Sequence, residues 1–141
     1  MYLVQLDDAQ YAHLLDARDA LRRFLHWSET QAKAAGLTAA QHQLLLAIRG
    51  HDGDPTIGDV AEHLLLRHHS AVGLVDRAEA AGLVRRVTDP ADHRVVRLRL
   101  TPAGGRRLSG LAATHLEEIR RLGTRMGTIA AGLPDLEVSS G

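Results

Sequence analysis

The hydrophobic period of this chain changes once. Its apolar residues recur in threes and fours through most of the sequence, but in Val95-Val-Arg-Leu-Arg-Leu-Thr101 residues Val96, Leu98 and Leu100 alternate with Val95, Arg97 and Arg99. A two-residue period is that of a strand with one buried face. The turn formers Asp89-Pro-Ala-Asp-His-Arg94 join this run to Leu83-Val-Arg-Arg-Val-Thr88, so the two runs form a hairpin. Any fold for the chain must place one small hairpin among helices.

Those helices have clear starts and stops. No proline or glycine occurs from Asp8 to Ala35, where Tyr11, Leu14, Leu15, Leu21, Leu25, Ser28 and Ala32 keep helical spacing up to Gly36. Phe24 and Trp27 lie off that stripe and give the helix a second apolar face, whose natural cover is a helix from another subunit. Thr38-Ala-Ala-Gln41 is a capping box opening a second helix to about Arg49. Turn formers fill Gly50–Pro55, and Thr56 with Asp59 opens a short third helix, Ile57 to Leu64. A turn near Leu65–His68 precedes a fourth helix, His69 to Ala81, closed by Gly82. Beyond the hairpin, Thr101-Pro102 opens a last long helix to about Ala131, despite Gly110, Gly123 and Gly127, and a frayed tail is expected over Pro134–Gly141. The expected fold is mainly α with a small two-stranded β wing: a winged helix-turn-helix in a single domain over residues 1–141.

Composition removes several function classes. With no cysteine in 141 residues there is no disulfide framework, thiolate metal site or thiol redox switch. The longest apolar run is the five residues Leu44–Ile48, far short of a membrane span. No basic stretch precedes an apolar one at Met1–Leu6, so no secretory signal is expected and a cytoplasmic location is. The 17 basic and 17 acidic residues cancel overall but not locally. Residues 1–66 are net −4, residues 67–107 carry nine arginines against four acids for a net of +5, and residues 108–141 are net −1. Arginine's planar fork of donors suits phosphates and guanine edges, so this basic block across the fourth helix and hairpin points to nucleic acid.

The residues also carry a resemblance. Val60-Ala-Glu-His-Leu64, Leu74-Val-Asp-Arg77, Gly82-Leu-Val84 and above all Asp92-His-Arg94 leading into Leu98-Arg-Leu-Thr101-Pro-Ala-Gly104 resemble the multiple antibiotic resistance regulator (MarR) family, over residues 37–108 by motif and the whole chain by helix order. The resemblance implies a homodimer formed through helices 8–35 and 102–131, with a DNA-binding lobe over 37–101 that reads a pseudo-palindromic double-stranded operator. It implies that Arg94 enters the minor groove and that Asp92 orients the wing. It also implies a small aromatic or anionic effector held between the dimerising and DNA-binding lobes. Two departures stand out: Gly73 occupies the middle of the recognition helix, and His68 and His69 replace small polar residues.

The DNA-contacting candidates are therefore Arg67, His68, His69, Ser70, Gly73 and Arg77 on the fourth helix, with Asp92, His93, Arg94 and Arg97 on the wing. Each has a plainer alternative. Arg94 is otherwise a surface arginine paired with Asp89 or Asp92, and Arg77 pairs with Asp76 or Glu79. Arg85, Arg86, Arg97 and Arg99 are expected on the solvent side of the strands. Imidazoles ordinarily gain a proton near pH 6.5, so His68, His69 and His93 are expected to strengthen DNA binding as pH falls from 8 to 6. The effector candidates are Arg22, Arg23, His26, Trp27 and His42, since an indole beside cationic donors suits an aromatic anion; the alternative is Trp27 packed in a dimer interface. His13, His26, His42 and His115 lack metal-site spacing, so neither metal nor cofactor is expected, although a metal-responsive regulator stays open. A winged-helix module that binds protein and no DNA is the other open reading. No Gly-x-Ser-x-Gly, phosphate loop or zinc-hydrolase motif is present to support an enzyme. Operator sequence, effector identity and repression versus activation are not set by these residues.

Overall fold

The computed structural model describes residues 5–134. Its elements run α1 (Asp8–Ala34), α2 (Ala39–Gly50), α3 (Ile57–Leu64), α4 (His68–Ala80), β1 (Val84–Thr88), β2 (Val96–Leu100) and α5 (Pro102–Ala131). The order is the expected one, and the ends differ by a residue or two, where helices fray and caps decide. The expected frayed tail lies, beyond Pro134, outside the described residues.

Local chemistry sets the boundaries. Thr38 and Thr56 each accept from the amide three residues on and receive a side chain back, Gln41 and Asp59 respectively, closing two capping boxes. Gly36 and Gly82 sit at φ +78° and +75°, left-handed backbone that glycine enters at least cost. Leu65, between α3 and α4, takes the same region at φ 54° while 92% exposed, so the tight turn is made by a residue ill suited to it.

The chain forms two compact units, residues 29–113 and residues 1–28 with 114–141. The first unit holds the expected DNA-binding lobe and has a true core. Leu44, Leu45, Val60, Val75 and Leu98 are fully enclosed there, joined by Leu108 and Leu111 from the start of α5. β1 and β2 are antiparallel, with Val84 opposite Leu100, Arg86 opposite Leu98 and Thr88 opposite Val96. Val96 was expected on the buried face with Leu98, but it is 42% exposed because the face it shares is covered only near the wing's root. The second unit has almost no interior. Among its described residues only Ala20 is buried, whereas Tyr11, Leu15 and Leu25 of α1 and Leu116 and Ile119 of α5 are each more than half exposed.

The root of the wing explains the Leu-Thr-x-x-Gly pattern. Thr101 donates its amide to Leu83 O at 3.0 Å and its hydroxyl to Gly82 O at 2.6 Å, and its hydroxyl accepts the Gly104 amide at 3.0 Å. One residue thereby ends β2, caps α5 and ties both to the end of α4. Gly104 lies so close that a Cβ there would sit 2.1 Å from Leu83 O. Backbone cannot swing aside as a side chain can, so Gly104→Ala is expected to cost about 3 kcal/mol or prevent folding. Gly110→Ala, in the same helix with nothing within 4 Å, should instead add about 0.5–1 kcal/mol. Urea unfolding of the two variants checks both signs.

Candidate nucleic-acid interface

The start of α4 is open where other helices are capped. Its N-cap is Arg67, whose side chain makes no capping bond, so the first-turn amides of His68, His69 and Ser70 face outward with the positive end of the helix dipole. Arg67, His68, His69 and Ser70 are all exposed, and none has a side-chain partner among the described residues. Free amides at a helix start, beside the Arg67 guanidinium, favour phosphate. One turn on, Arg77 extends back over Gly73: a Cβ on Gly73 would lie 3.3 Å from Arg77 Nη1. The missing side chain at the helix centre makes room for that guanidinium.

Arg77 is free because its neighbours are engaged elsewhere. Asp76 and Glu79 both accept from Arg86, at 2.7 Å each, and this pairing holds Arg86 even more firmly protonated than usual, with the Asp76 bond the chief cause. Arg86 was expected on the solvent side of the hairpin. It lies instead on the face shared with Val84 and Leu98, folded against α4, because its register opposite Leu98 leaves no other direction. Its charge is used within the unit.

The wing turn is built by two aspartates. Asp89 accepts the amides of Ala91 and Asp92 on one oxygen, at 2.7 and 3.2 Å, and Arg97 Nε on the other at 2.5 Å. Asp92 accepts the Arg94 amide and receives its guanidinium bidentately, Nε at 3.0 Å and Nη2 at 3.1 Å. The Arg94 side chain nevertheless stays 90% exposed at the turn, and an ion pair so open to water holds little energy. The plainer alternative for Arg94, a pair with Asp92, is thus present and leaves its outer edge available. Asp92 fixes the direction of the arginine. His93 beside it is exposed, with no partner among the described residues.

Arg97 differs from the other wing cations. Its Nη1 donates to Asp54 O at 2.9 Å while Nε holds Asp89, so it braces the turn against the loop before α3. Arg99 adds a 2.7 Å bond to Asp54 Oδ2, and the Leu98 amide donates to Pro55 O at 2.8 Å. Sequence reasoning missed Asp54 and Pro55 as wing supports, since both appear only as turn formers. Of the nine arginines in 67–107, Arg67, Arg77, Arg85 and Arg106 have no intramolecular partner among the described residues.

The effector candidates divide. In the unit of residues 1–28 and 114–141, Arg23 and Trp27 line one cavity of about 290 Å³ with Phe24, Arg121 and Arg125. The Trp27 ring lies 4.8 Å from that of His115, which also bonds Ser28 Oγ at 2.8 Å. Among the described residues Arg23 and Arg125 have no partner, and Arg121 pairs with Glu118. Arg22 points to Asp19 at 3.6 Å, and the exposed His26 is not among the lining residues. His42 belongs to the other unit, buried on the inner face of α2. Phe24, Arg121 and Arg125 were not singled out by sequence; the four-residue step from Arg121 to Arg125 was the available signal. Among the described residues no three His, Asp or Glu side chains converge as a metal-binding group, and no helix is long and apolar enough to cross a membrane.

Comparison with known proteins decides what the geometry belongs to. Residues 35–95 match the sequence profile of the MarR family. The HTH-type transcriptional repressor NicR of Pseudomonas putida is 30% identical over 125 residues, 87% of this chain and 74% of that protein. The chain belongs to the MarR family. Family and fold are those of DNA-binding transcriptional regulators. The uncharacterised HTH-type regulator YsmB of Bacillus subtilis is 40% identical over 68 residues, 48% of this chain, and the match spans about half of that relative, 47% of its length. Among solved structures, BpsR of Bordetella bronchiseptica, described with the mechanism by which 6-hydroxynicotinic acid regulates its DNA binding, is 27% identical with a TM-score of 0.58, covering 89% of this chain and 87% of that one.

The wing turn has a checkable acid limit. Hydrogen bonds from Arg97 to Asp89 and from Arg94 to Asp92, aided by backbone amides, hold both carboxyls below the usual range. For acids lowered in the folded state, the stabilising bonds are complete above the ordinary value near pH 4 and are lost as pH falls through the lowered one. The amide proton shifts of Ala91 and Arg94 should therefore hold at pH 5 and move with midpoints below about 3.9 in an NMR titration. Midpoints above that value would contradict the geometry.

Proposed function

We propose that the protein is a homodimeric repressor that reads a pseudo-palindromic operator and is released by a small aromatic anion. The observation that carries the DNA reading is the division among arginines. Arg67 and Arg77 at α4 and Arg94 at the wing tip present unneutralised or outward guanidiniums, whereas Arg86 and Arg97 are committed to internal carboxylates. Ser70 and the free first-turn amides would meet phosphate or base edge, Gly73 leaves room for the Arg77 guanidinium, and Arg94 would enter the narrow minor groove. Arg97 then acts as a positioning residue instead of a phosphate contact.

The dimer reading rests on the unit with almost no interior. Its exposed Tyr11, Leu15, Leu25, Leu116 and Ile119 form more apolar surface than a lone protomer keeps in water. A two-fold axis would set two α4 helices and two wings against half-sites about one helical turn apart.

The effector reading rests on the cavity floored by Phe24 and Trp27 and edged by Arg23, Arg121 and Arg125. A flat acid would stack on the rings while its carboxylate meets the guanidiniums. The regulation of BpsR by 6-hydroxynicotinic acid supports the same ligand class here. By linkage, an effector favouring a dimer with misplaced heads lowers operator affinity by the free energy with which DNA opposes the effector.

Anisotropy titrations on the protein's best-bound duplex test these assignments. Arg94→Ala should weaken binding by about 1–3 kcal/mol. Arg67→Ala and Arg77→Ala should each reduce the salt slope by about 1. Unchanged binding in all three would remove the DNA assignment. Arg23→Ala with Arg125→Ala should lower affinity for a hydroxylated aromatic carboxylate at least ten-fold and leave operator affinity intact; equal affinity would place the effector elsewhere.

A further inference from the structure

We propose that His51 and His63 form a chelating site for a borderline divalent transition-metal ion of the Zn²⁺ and Cu²⁺ class, set on the loop that anchors the wing. His51 comes directly after the last residue of α2, and His63 lies in the last turn of α3. Their facing nitrogens, His51 Nδ1 and His63 Nε2, are 3.0 Å apart, with ring planes crossed at 85°. Imidazole binds such ions at about 2.0–2.1 Å, so two ligands at a right angle stand about 2.9 Å apart and two at the tetrahedral angle about 3.4 Å. The observed spacing falls between these values.

The surroundings of His51 suit coordination. His51 Nε2 faces Asp59 Oδ2 at 3.6 Å, ion-pair range, and that carboxylate is fixed by accepting the Thr56 amide at 2.9 Å. A proton on Nε2 of His51 leaves Nδ1 as a lone pair aimed at His63, and a carboxylate behind a ligating imidazole is the usual outer support of a metal ligand. With the His51 proton on Nε2, the 3.0 Å hydrogen bond of the metal-free pair runs from His63 Nε2 to His51 Nδ1. Coordination needs the His63 proton only to move to Nδ1, so both inward nitrogens offer lone pairs and no net proton is released. The side chains border an open cleft of about 340 Å³ that also exposes Gln43, leaving the remaining positions to water.

The site would matter because it sits beside the wing's anchor in sequence. Asp54 and Pro55, three and four residues beyond His51, hold Arg97, Arg99 and the Leu98 amide of the wing. An ion joining His51 to α3 would stiffen that loop and with it the anchor. The inference does not depend on the effector or the dimer.

The test is Cu²⁺ binding by the full chain, read by competition with a chromophoric chelator and by the nitrogen hyperfine pattern in electron paramagnetic resonance. The expected result is one tight Cu²⁺ per chain with two imidazole nitrogens. His51→Ala and His63→Ala should each weaken affinity at least ten-fold and leave a one-nitrogen pattern, while His69→Ala changes neither. Circular dichroism of the two surface variants separates loss of ligand from loss of fold, and His51→Gln provides a second version of the same removal. A two-nitrogen signal surviving in His63→Ala, equal affinity across all variants, or no binding tighter than that of the variants would overturn the proposal.

Discussion

The carbonyl of Leu83 is the joint on which the reading head depends. It accepts the Thr101 amide at 3.0 Å, and Gly104 packs against it closely enough to exclude any side chain. The end of α4, both strands and the first turn of α5 therefore meet at one point. A wing hinged on flexible links would carry Arg94 at varying distances from α4. This one is fixed at its root and braced again midway, where the loop before α3 receives Leu98, Arg97 and Arg99 through Pro55 and Asp54. The distance between α4 and the wing tip is thereby set by backbone.

Charge obeys the same division. A net of +5 over residues 67–107 describes a basic block, yet about half of its arginines stabilise the head itself. Arg86 closes β1 onto α4, and Arg97 locks the turn that points Arg94 outward. Ion pairs of this kind, each guanidinium joining two groups, give orientation more than energy at a wet surface. What remains for a polyanion is a sparse set: Arg67 with open amides, Arg77 over Gly73, and the outer edge of Arg94.

Legibility in the sequence tracked locality. Capping boxes, glycine stops and the strand period are decided within a few residues, so α3 and α5 were expected with the ends they have. The Leu-Thr-x-x-Gly pattern was visible too, although its cause, an approach of backbone to backbone, emerges only when Gly82 and Leu83 are brought to it. Partnerships across the fold were not legible. Arg86 with Asp76 and Glu79, and Arg97 with Asp54, depend on strand register and on a loop more than forty residues away. His42 looked like a pocket residue by chemistry but lies on the inner face of α2, which its three-residue spacing from Leu45 could have suggested. Arg125 was overlooked because its cavity is made by two helices far apart in sequence.

The central claim is that a helix start and an arginine-tipped wing, held at fixed separation and repeated by a two-fold axis, read DNA. The most direct measurement is selection of bound sites from a random duplex pool with the purified protein at two salt concentrations. The account predicts enrichment of an inverted repeat with half-site centres about one helical turn apart, and recovery that falls steeply with salt. Recovery with no enriched sequence, or binding indifferent to salt, would contradict it.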